Sequence, residues 1–475
     1  MGCKHESTRQ ETVTASTCAT AGTANVYCTV CGDFIGTAAL PLDPNNHERV
    51  VSVALQDGKA VYTCVCGVTY AETTEALDTV YVAASGVTAL PAETAGTEAN
   101  PFGSFELAMH YAAAVASANG SAAVVVKDSA TVPASYSTPA FTGTVTVTGG
   151  SLILGGASTF KMNGAMTFRD ISFDVDNPGS GAYLYAQNHK LVMDTGIQMV
   201  NAKTISLVIN QEDRMSVNAV KMYVLGGFES IGTQSYTLDT DVTVRSGDYW
   251  FIGGGNRCVS GTMTVKGSTK LTLGLTDVAD TLQTAWLNSF AVGAEHLSAD
   301  TKATVIVDGE VTVGCYNVIN QNGGGQEFLR TTDLILRGDL NPLGSPVFDV
   351  TGSTAVTNGV INVYVDERVD TAIADADIFY GDSADATIAV IGYTVNKATY
   401  ATYCVNYLNG HVDANSDGSC DICGGSMVCE HPDGMLEYRV TVPATCSTLG
   451  TEEVWCKSCG QKVRTQDLNY DAERH

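Results

Sequence analysis

No stretch of about 18 consecutive apolar residues occurs in the chain, so the sequence holds no candidate membrane-spanning helix. Basic residues are scarce: 25 Lys and Arg stand against 51 Asp and Glu, a formal net charge of −26, and no Lys/Arg stripe overrides it locally. Such a surface repels phosphate backbones, which excludes nucleic acid as an expected partner. Proline is rare, with 11 in 475 residues, and only 16% of positions are charged, while 44% are hydrophobic; a chain so composed can bury a core and is not expected to be disordered. The opening Met1-Gly2-Cys3-Lys4-His5 lacks the charged-then-apolar pattern of a signal peptide. Cysteine is almost absent from the middle: thirteen of the fifteen fall before residue 67 or after residue 403.

What is present at the two ends repeats. The N-terminal set is Cys3, His5, Cys18, Cys28 and Cys31, and the C-terminal set is Cys429, His431, Cys446, Cys456 and Cys459; "ASTCATAGTANVYCTVCG" faces "PATCSTLGTEEVWCKSCG" between them. A Cys-x-x-Cys-Gly turn holds two thiolates on one knuckle, and a distant Cys/His pair can complete a tetrahedral zinc site. Modules of this size bury too little surface to fold unaided, so a structural zinc ion would supply much of their folding free energy. Five candidates compete for four positions in each copy, with Cys3 or Cys18, and Cys429 or Cys446, as the fourth thiolate. Disulfides are the competing use of these thiols.

Two further cysteine-bearing stretches are less regular. Residues 39–79 contain His47, Cys64 and Cys66, with Cys-x-Cys in place of Cys-x-x-Cys and no obvious fourth ligand, and read as a degenerate copy of the module. Residues 401–426 place Cys404, His411, Cys420 and Cys423 within one loop, a full zinc-type set, and also Asp413, Asn415 and Asp417, the opening of a calcium loop. Position twelve of that loop is Gly424 rather than a carboxylate, which favours zinc over calcium there.

The middle, residues 80–400, recurs as short alternating strands broken by glycine or acidic turns, as in "TVTVTGGSLILGG", "GTMTVKGSTKLTLG" and "ATVIVDGEVTVG". Turn glycines at 149, 196, 226, 247, 267, 309 and 338, with the Asp170 turn between the first two, give a unit of roughly 20 to 30 residues, the period of a parallel β-helix coil. A β-sandwich array is the competing fold and would need tight antiparallel hairpins. The one strong helix pattern, "NPFGSFELAMHYAAAVASANG", has Ser104 as N-cap, Glu106 in the first turn and Phe105, Ala108, Tyr111, Ala112 and Val115 on one face. It is placed to cover the open end of the stack.

Within the middle, "RDISFDVD" aligns Asp170, Asp174 and Asp176 on one expected strand face, with Arg169 on the other. His110, His189 and His296 stand isolated, and Cys258 and Cys315 read as small buried residues. In "GDYWFIGGGNR", Tyr249 and Phe251 are expected on one face and Trp250 on the other.

The helix with its flanking strands resembles the N-terminal cap and first coil of pectate-lyase-like β-helix proteins. The end modules resemble the Cys-x-His…Thr-Cys…Gly…Cys-x-x-Cys-Gly repeats of large surface proteins of anaerobic Gram-positive bacteria. The first resemblance implies an all-β chain, a right-handed parallel β-helix (solenoid) with an N-terminal capping helix; the second implies structural, surface-associated zinc-ribbon-like modules at 1–38 and 427–475. The expectation is a mature or excised piece of an exported protein, extracellular or on the cell surface. It is expected to be non-enzymatic, adhesin-like or structural, with a carbohydrate, host or cell-surface ligand. A polysaccharide lyase or glycoside hydrolase acting along the solenoid groove is the alternative.

Overall fold

A computed structural model describes residues 4–474 apart from 72–73, 88–93, 156–157, 176–180, 201–221, 276–280, 289–294, 318–327, 339, 343–347, 350–358, 367–392, 400–435 and 458–461. The chain divides into two compact units, Met1–Ala398 and Thr399–His475.

The first unit begins with two small antiparallel sheets. Strands Thr8–Thr14, Gly22–Cys28 and Phe34–Leu40 form one, with the middle strand paired on both sides. Strands Val50–Gln56, Lys59–Cys64 and Thr69–Ala71 form the other. Asp57 and Gly58 join its first two strands with φ of 52° and 75°, the left-handed pair that a two-residue hairpin turn requires.

The second sheet rests on helix α1, Phe105–Asn119. Ser104 caps the helix by accepting a hydrogen bond from the Leu107 N–H, and Gly120 ends it at φ 87°, its N–H donated to the Ala116 carbonyl. Phe105, Ala108, Tyr111, Ala112 and Val115 are all buried, as the sequence face requires, and so are Met109, Ala113 and Ala116. The Tyr111 ring packs against Tyr62 of the second sheet, and its hydroxyl accepts the Leu77 N–H at 2.9 Å in the segment leading onward.

Beyond the helix, the chain visits three parallel sheets in turn. Ser121–Val126, Ser129–Val132 and Ser135–Ser137 are followed by Thr144–Thr148, which returns beside the first of them, and then by Ser151–Leu154 and Thr159–Lys161 beside the second and third. Among the described residues these sheets have, in that order, eleven, four and nine strands. Thr144 lies against Ser121, Ala165 against Thr144 and Leu191 against Met166, so one circuit takes 23, 21 and then 25 residues.

Because parallel register aligns identical parities, each circuit adds one rung to an internal ladder. In the eleven-stranded sheet it runs Val124, Val147, Phe168, Met193, Val244, Leu273, Val307 and Leu336, each in register with the next and each essentially without solvent exposure. At about 25 cal/mol per Å² of apolar surface, a continuous stack of this kind is the main cohesive force. Parallel pairing from the strand Thr79–Val87 to the strand Gly359–Val365 removes the antiparallel sandwich expectation. Gly267, read as a turn, lies instead inside the strand Met263–Leu273; a Cβ there would come within 2.2 Å of the Leu238 carbonyl oxygen of the adjacent strand.

The second unit holds one described sheet, Leu436–Val442, Gly450–Cys456 and Lys462–Leu468. Its pairing repeats the first sheet of the chain residue for residue at an offset of 428: Thr8 opposite Cys28 becomes Leu436 opposite Cys456, and Gly22 opposite Leu40 becomes Gly450 opposite Leu468. The register breaks between Thr12 and Thr14 and between Val26 and Tyr27 recur between Val440 and Val442 and between Val454 and Trp455.

Candidate metal centres

Two groups of Cys and His side chains converge in the first unit, each with all of its ligand atoms within 4.8 Å of one another. The first is His5, Cys28 and Cys31. Cys28 closes the strand Gly22–Cys28, where its N–H donates to the Asp33 carbonyl and its own carbonyl accepts from Gly32, which turns at φ 80°. This knuckle sets both thiols on one side. Thr29 hydrogen-bonds Ser7 through its N–H and its hydroxyl, pinning the N-terminal segment so that His5 Nδ1 lies 3.5 Å from Cys31 Sγ. The Cys31 backbone N–H, then His5, lower the Cys28 thiol to about 6, so it is poised as a thiolate. Cys3 lies outside the described residues.

The second group is Cys18, His47, Cys64 and Cys66. Its knuckle repeats the first with one residue fewer: the Cys64 N–H donates to Val68, and the Cys64 carbonyl accepts from Gly67 at φ 86°. Cys-x-Cys is therefore a shortened knuckle that still presents two thiols. Burial opposes ionisation of Cys64, but the Cys66 backbone N–H and the Cys66 and Cys18 sulfurs outweigh it and hold the thiol down at about 6. Cys18 is pushed up to about 11, first by burial and then by competition with Cys66 and Cys64 for the shared proton. One thiol thus holds the proton that a bound cation would displace.

The fourth donor, which residues 39–79 lack, comes from the preceding module. Segment 43–48 is laced to the turn at 16–20: Cys18 N–H donates to Asn46, Asp43 N–H to Thr17, and the Asn46 side chain to the Ser16 carbonyl. The Glu48 carboxylate accepts from the Thr17 and Thr20 hydroxyls at 2.8 and 2.6 Å. These bonds deliver Cys18 and His47 together to the Cys64–Cys66 knuckle. Cys18 is accordingly grouped with His47, and not with His5, Cys28 and Cys31, where the count of five donors for four positions had also allowed it.

The spacings suit one tetrahedral cation. Zinc–sulfur and zinc–nitrogen bonds of about 2.3 and 2.0 Å imply tetrahedral edges of about 3.8 Å between two sulfurs and about 3.5 Å between sulfur and nitrogen. Cys18 Sγ stands 3.5 Å from Cys64 Sγ, and Cys66 Sγ stands 3.3 Å from His47 Nδ1. A disulfide would need sulfurs about 2.05 Å apart. The group could hold a metal ion without rearrangement beyond a few tenths of an ångström.

The remaining sequence candidates are placed less fully. Cys404, His411, Cys420, Cys423, Cys429, His431 and Cys459, with Asp413, Asn415 and Asp417, lie outside the described residues. Cys456 is buried at the end of its strand and Cys446 is exposed on a turn. Asp170 does not share a strand face with Asp174: it sits at a corner with φ 48° between Ala165–Arg169 and Ser172–Val175, beside Arg169. Asp176 is outside the described residues. His110 and His189 are partly buried and their pKa values are lowered by that burial; His296 pairs with Thr264 within a parallel sheet.

Tyr249 enters the main core, whereas Phe251 belongs to a separate cluster with Tyr185 and Leu225, flanked by Tyr183, Tyr223 and Trp250. Ile252, the next residue, is again in the main core, so strict alternation fails between Tyr249 and Ile252. Cys258 is half-buried against the core.

No protein-family model matches the chain, and neither a curated protein nor a solved structure is significantly similar to it. Among the described residues, no helix is long and apolar enough to cross a membrane.

Proposed function

We propose that this chain is a non-catalytic scaffold of an extracellular or cell-surface protein, in which a right-handed parallel β-helix is held at its ends by zinc-clamped Cys/His modules. The β-helix reading rests on three parallel sheets visited in rotation and on the shared internal ladder. Helix α1 covers the first rungs, the role that its resemblance to pectate-lyase-like caps implies. Zinc rests on the donor set, since three thiolates and one imidazole at tetrahedral spacing suit a borderline-soft, redox-inert cation. Localisation rests on the acidic surface and on the resemblance of the modules to repeats of bacterial surface proteins. The ligand of such a scaffold is a carbohydrate or another host or cell-surface molecule.

One observation carries the reading: Cys18 reaches out of its own module to join His47, Cys64 and Cys66. A metal bound there staples the first module to the second, and the second is already packed on the helix. Zinc analysis with limited proteolysis tests this. Purified protein should carry about three zinc ions, and chelation should open cleavage within residues 41–49; unchanged cleavage after full zinc removal refutes the staple. Screening acidic and neutral polysaccharides for unsaturated uronate or new reducing ends should yield nothing, and a signal lost in Asp174→Ala would restore the enzyme reading.

A further inference from the structure

Among the described residues the four-stranded sheet ends on the strand Gln198–Val200, which pairs with Ser172–Val175. The following circuit does not extend it: the chain leaves the eleven-stranded sheet at Val244 and enters the nine-stranded sheet at Gly247, with only Arg245 and Ser246 between them. A cleft of about 350 Å³ opens at this step, lined by residues 197–199, the turn 246–248 and Thr281. Its size falls within the range of small-ligand sites, about 300–1,000 Å³.

The frame of the cleft is fixed by hydrogen bonds. The Ser246 hydroxyl donates to the Asp194 carbonyl at 2.7 Å and accepts the Ile197 N–H at 3.1 Å, which ties the turn to the start of the edge strand. Gly247 N–H donates to the Thr281 carbonyl at 3.0 Å, and the Arg245 guanidinium is engaged by the Asp194 carboxylate at 2.7 Å. Within this frame the side chains of Gln198, Asp248 and Thr281 have no hydrogen-bond or ion-pair partner among the described residues. Asp248 is half-buried, and burial raises its pKa. A partly desolvated carboxylate without a donor is unfavourable, and a ligand that donates to it offsets that penalty.

These three groups select the ligand. A carboxylate accepts from adjacent hydroxyls, the Gln198 amide and the Thr281 hydroxyl each donate and accept, and Ile197 and Met199 add an apolar strip for the C–H face of a ring. An anion would meet Asp248 in a lining that has no basic side chain. A hard divalent cation takes about six to eight oxygens, commonly from several carboxylates, and the lining has one. We propose that this cleft binds one neutral sugar residue of a glycan, with Asp248 and Gln198 as the side chains that recognise its hydroxyls. The inference rests on the reading of the ligand as a carbohydrate and gives it a place in the fold: the step where the small sheet stops and two larger ones close up beside it.

The full chain is applied to an array of immobilised neutral oligosaccharides, of gluco, manno and galacto configuration, set beside uronate-bearing and sulfated ones, and the strongest neutral glycan is then titrated by calorimetry. Neutral glycans should bind, and both Asp248→Ala and Gln198→Ala should weaken the titrated glycan by about tenfold or more. Neither side chain is bonded within the fold, so the thermal midpoint should not fall in either variant, and Thr167→Ala on the eleven-stranded sheet should bind as the wild type does. Retained affinity in either cleft variant, or binding confined to uronate-bearing or sulfated glycans, overturns this site while leaving a carbohydrate ligand in place. Failure to bind any glycan on the array overturns the carbohydrate reading and this proposal with it.

Discussion

Replacing Tyr111 by Phe removes a single oxygen from the joint between the second module and the parallel sheets. The ring is fully buried between Tyr62, at 6.1 Å between centroids, and Phe102, at 5.8 Å, and it fills the same space in the variant. The bond from Leu77 N–H, 2.9 Å long, is lost. A partly buried N–H left without an acceptor costs about 1–3 kcal/mol. The Leu77 amide should then exchange with solvent about 5- to 150-fold faster in native-state hydrogen exchange, which reads local opening directly. Its neighbours share the change: Ala76 N–H donates to Gly58 in the second module, and the Asp78 carbonyl accepts from Ala123 in the first parallel strand. Tyr111→Ala deletes the ring as well and should cost about 3–5 kcal/mol, releasing the second module from the helix. Unaltered exchange at Leu77 in Tyr111→Phe, or equal destabilisation by the two variants, would refute the placement of this joint.

Two further outcomes follow from the parallel sheets. Phe168, in register between Val147 and Met193 and in ring contact with Phe160 and Phe173, should lose about 3–5 kcal/mol on truncation to Ala, while Thr167→Ala, on the opposite face, should stay within about 0.5 kcal/mol by denaturant midpoint. Asp128 accepts the backbone N–H groups of Ser129 and Ala84, at 2.6 and 3.1 Å, which hold its carboxyl below the usual range. A depressed folded pKa stabilises above the unfolded value and is lost as pH falls through the folded one. Protection of the Ala84 amide should therefore fade on acidification below about pH 4 in the wild type, and Asp128→Asn should be weaker at neutral pH with a flatter acid limb.

The parts legible in the sequence are those fixed by near neighbours along the chain. Alternating parity in "TVTVT" and "SLIL" gives buried Val145, Val147, Leu152 and Leu154, and Ser104 and Gly120 bound the helix because capping is a local bond. Each Cys-Gly knuckle is local too. The fourth donor of the second centre was not legible, because what brings Cys18 to Cys64 is a set of backbone bonds between residues 16–20 and 43–48 that leaves no residue signature. Counting donors within one module misled for the same reason. Residues 47–66 seemed one ligand short only because their ligand is borrowed. Tyr249 and Phe251 part company although a period-two pattern puts them on one face: the core takes Tyr249 and then Ile252, and Phe251 joins a separate aromatic cluster. Gly267 shows the converse: a glycine in mid-strand marks a close approach to the neighbouring backbone rather than a turn.

An anomalous difference map collected at the zinc edge from crystals of the full chain tests the central claim most directly. A metal peak should lie about 2.3 Å from the sulfurs of Cys18, Cys64 and Cys66 and about 2.0 Å from a ring nitrogen of His47. A Cys18–Cys64 bond of about 2.05 Å with no peak between the four residues, or Cys18 turned toward Cys28 and Cys31, would contradict it.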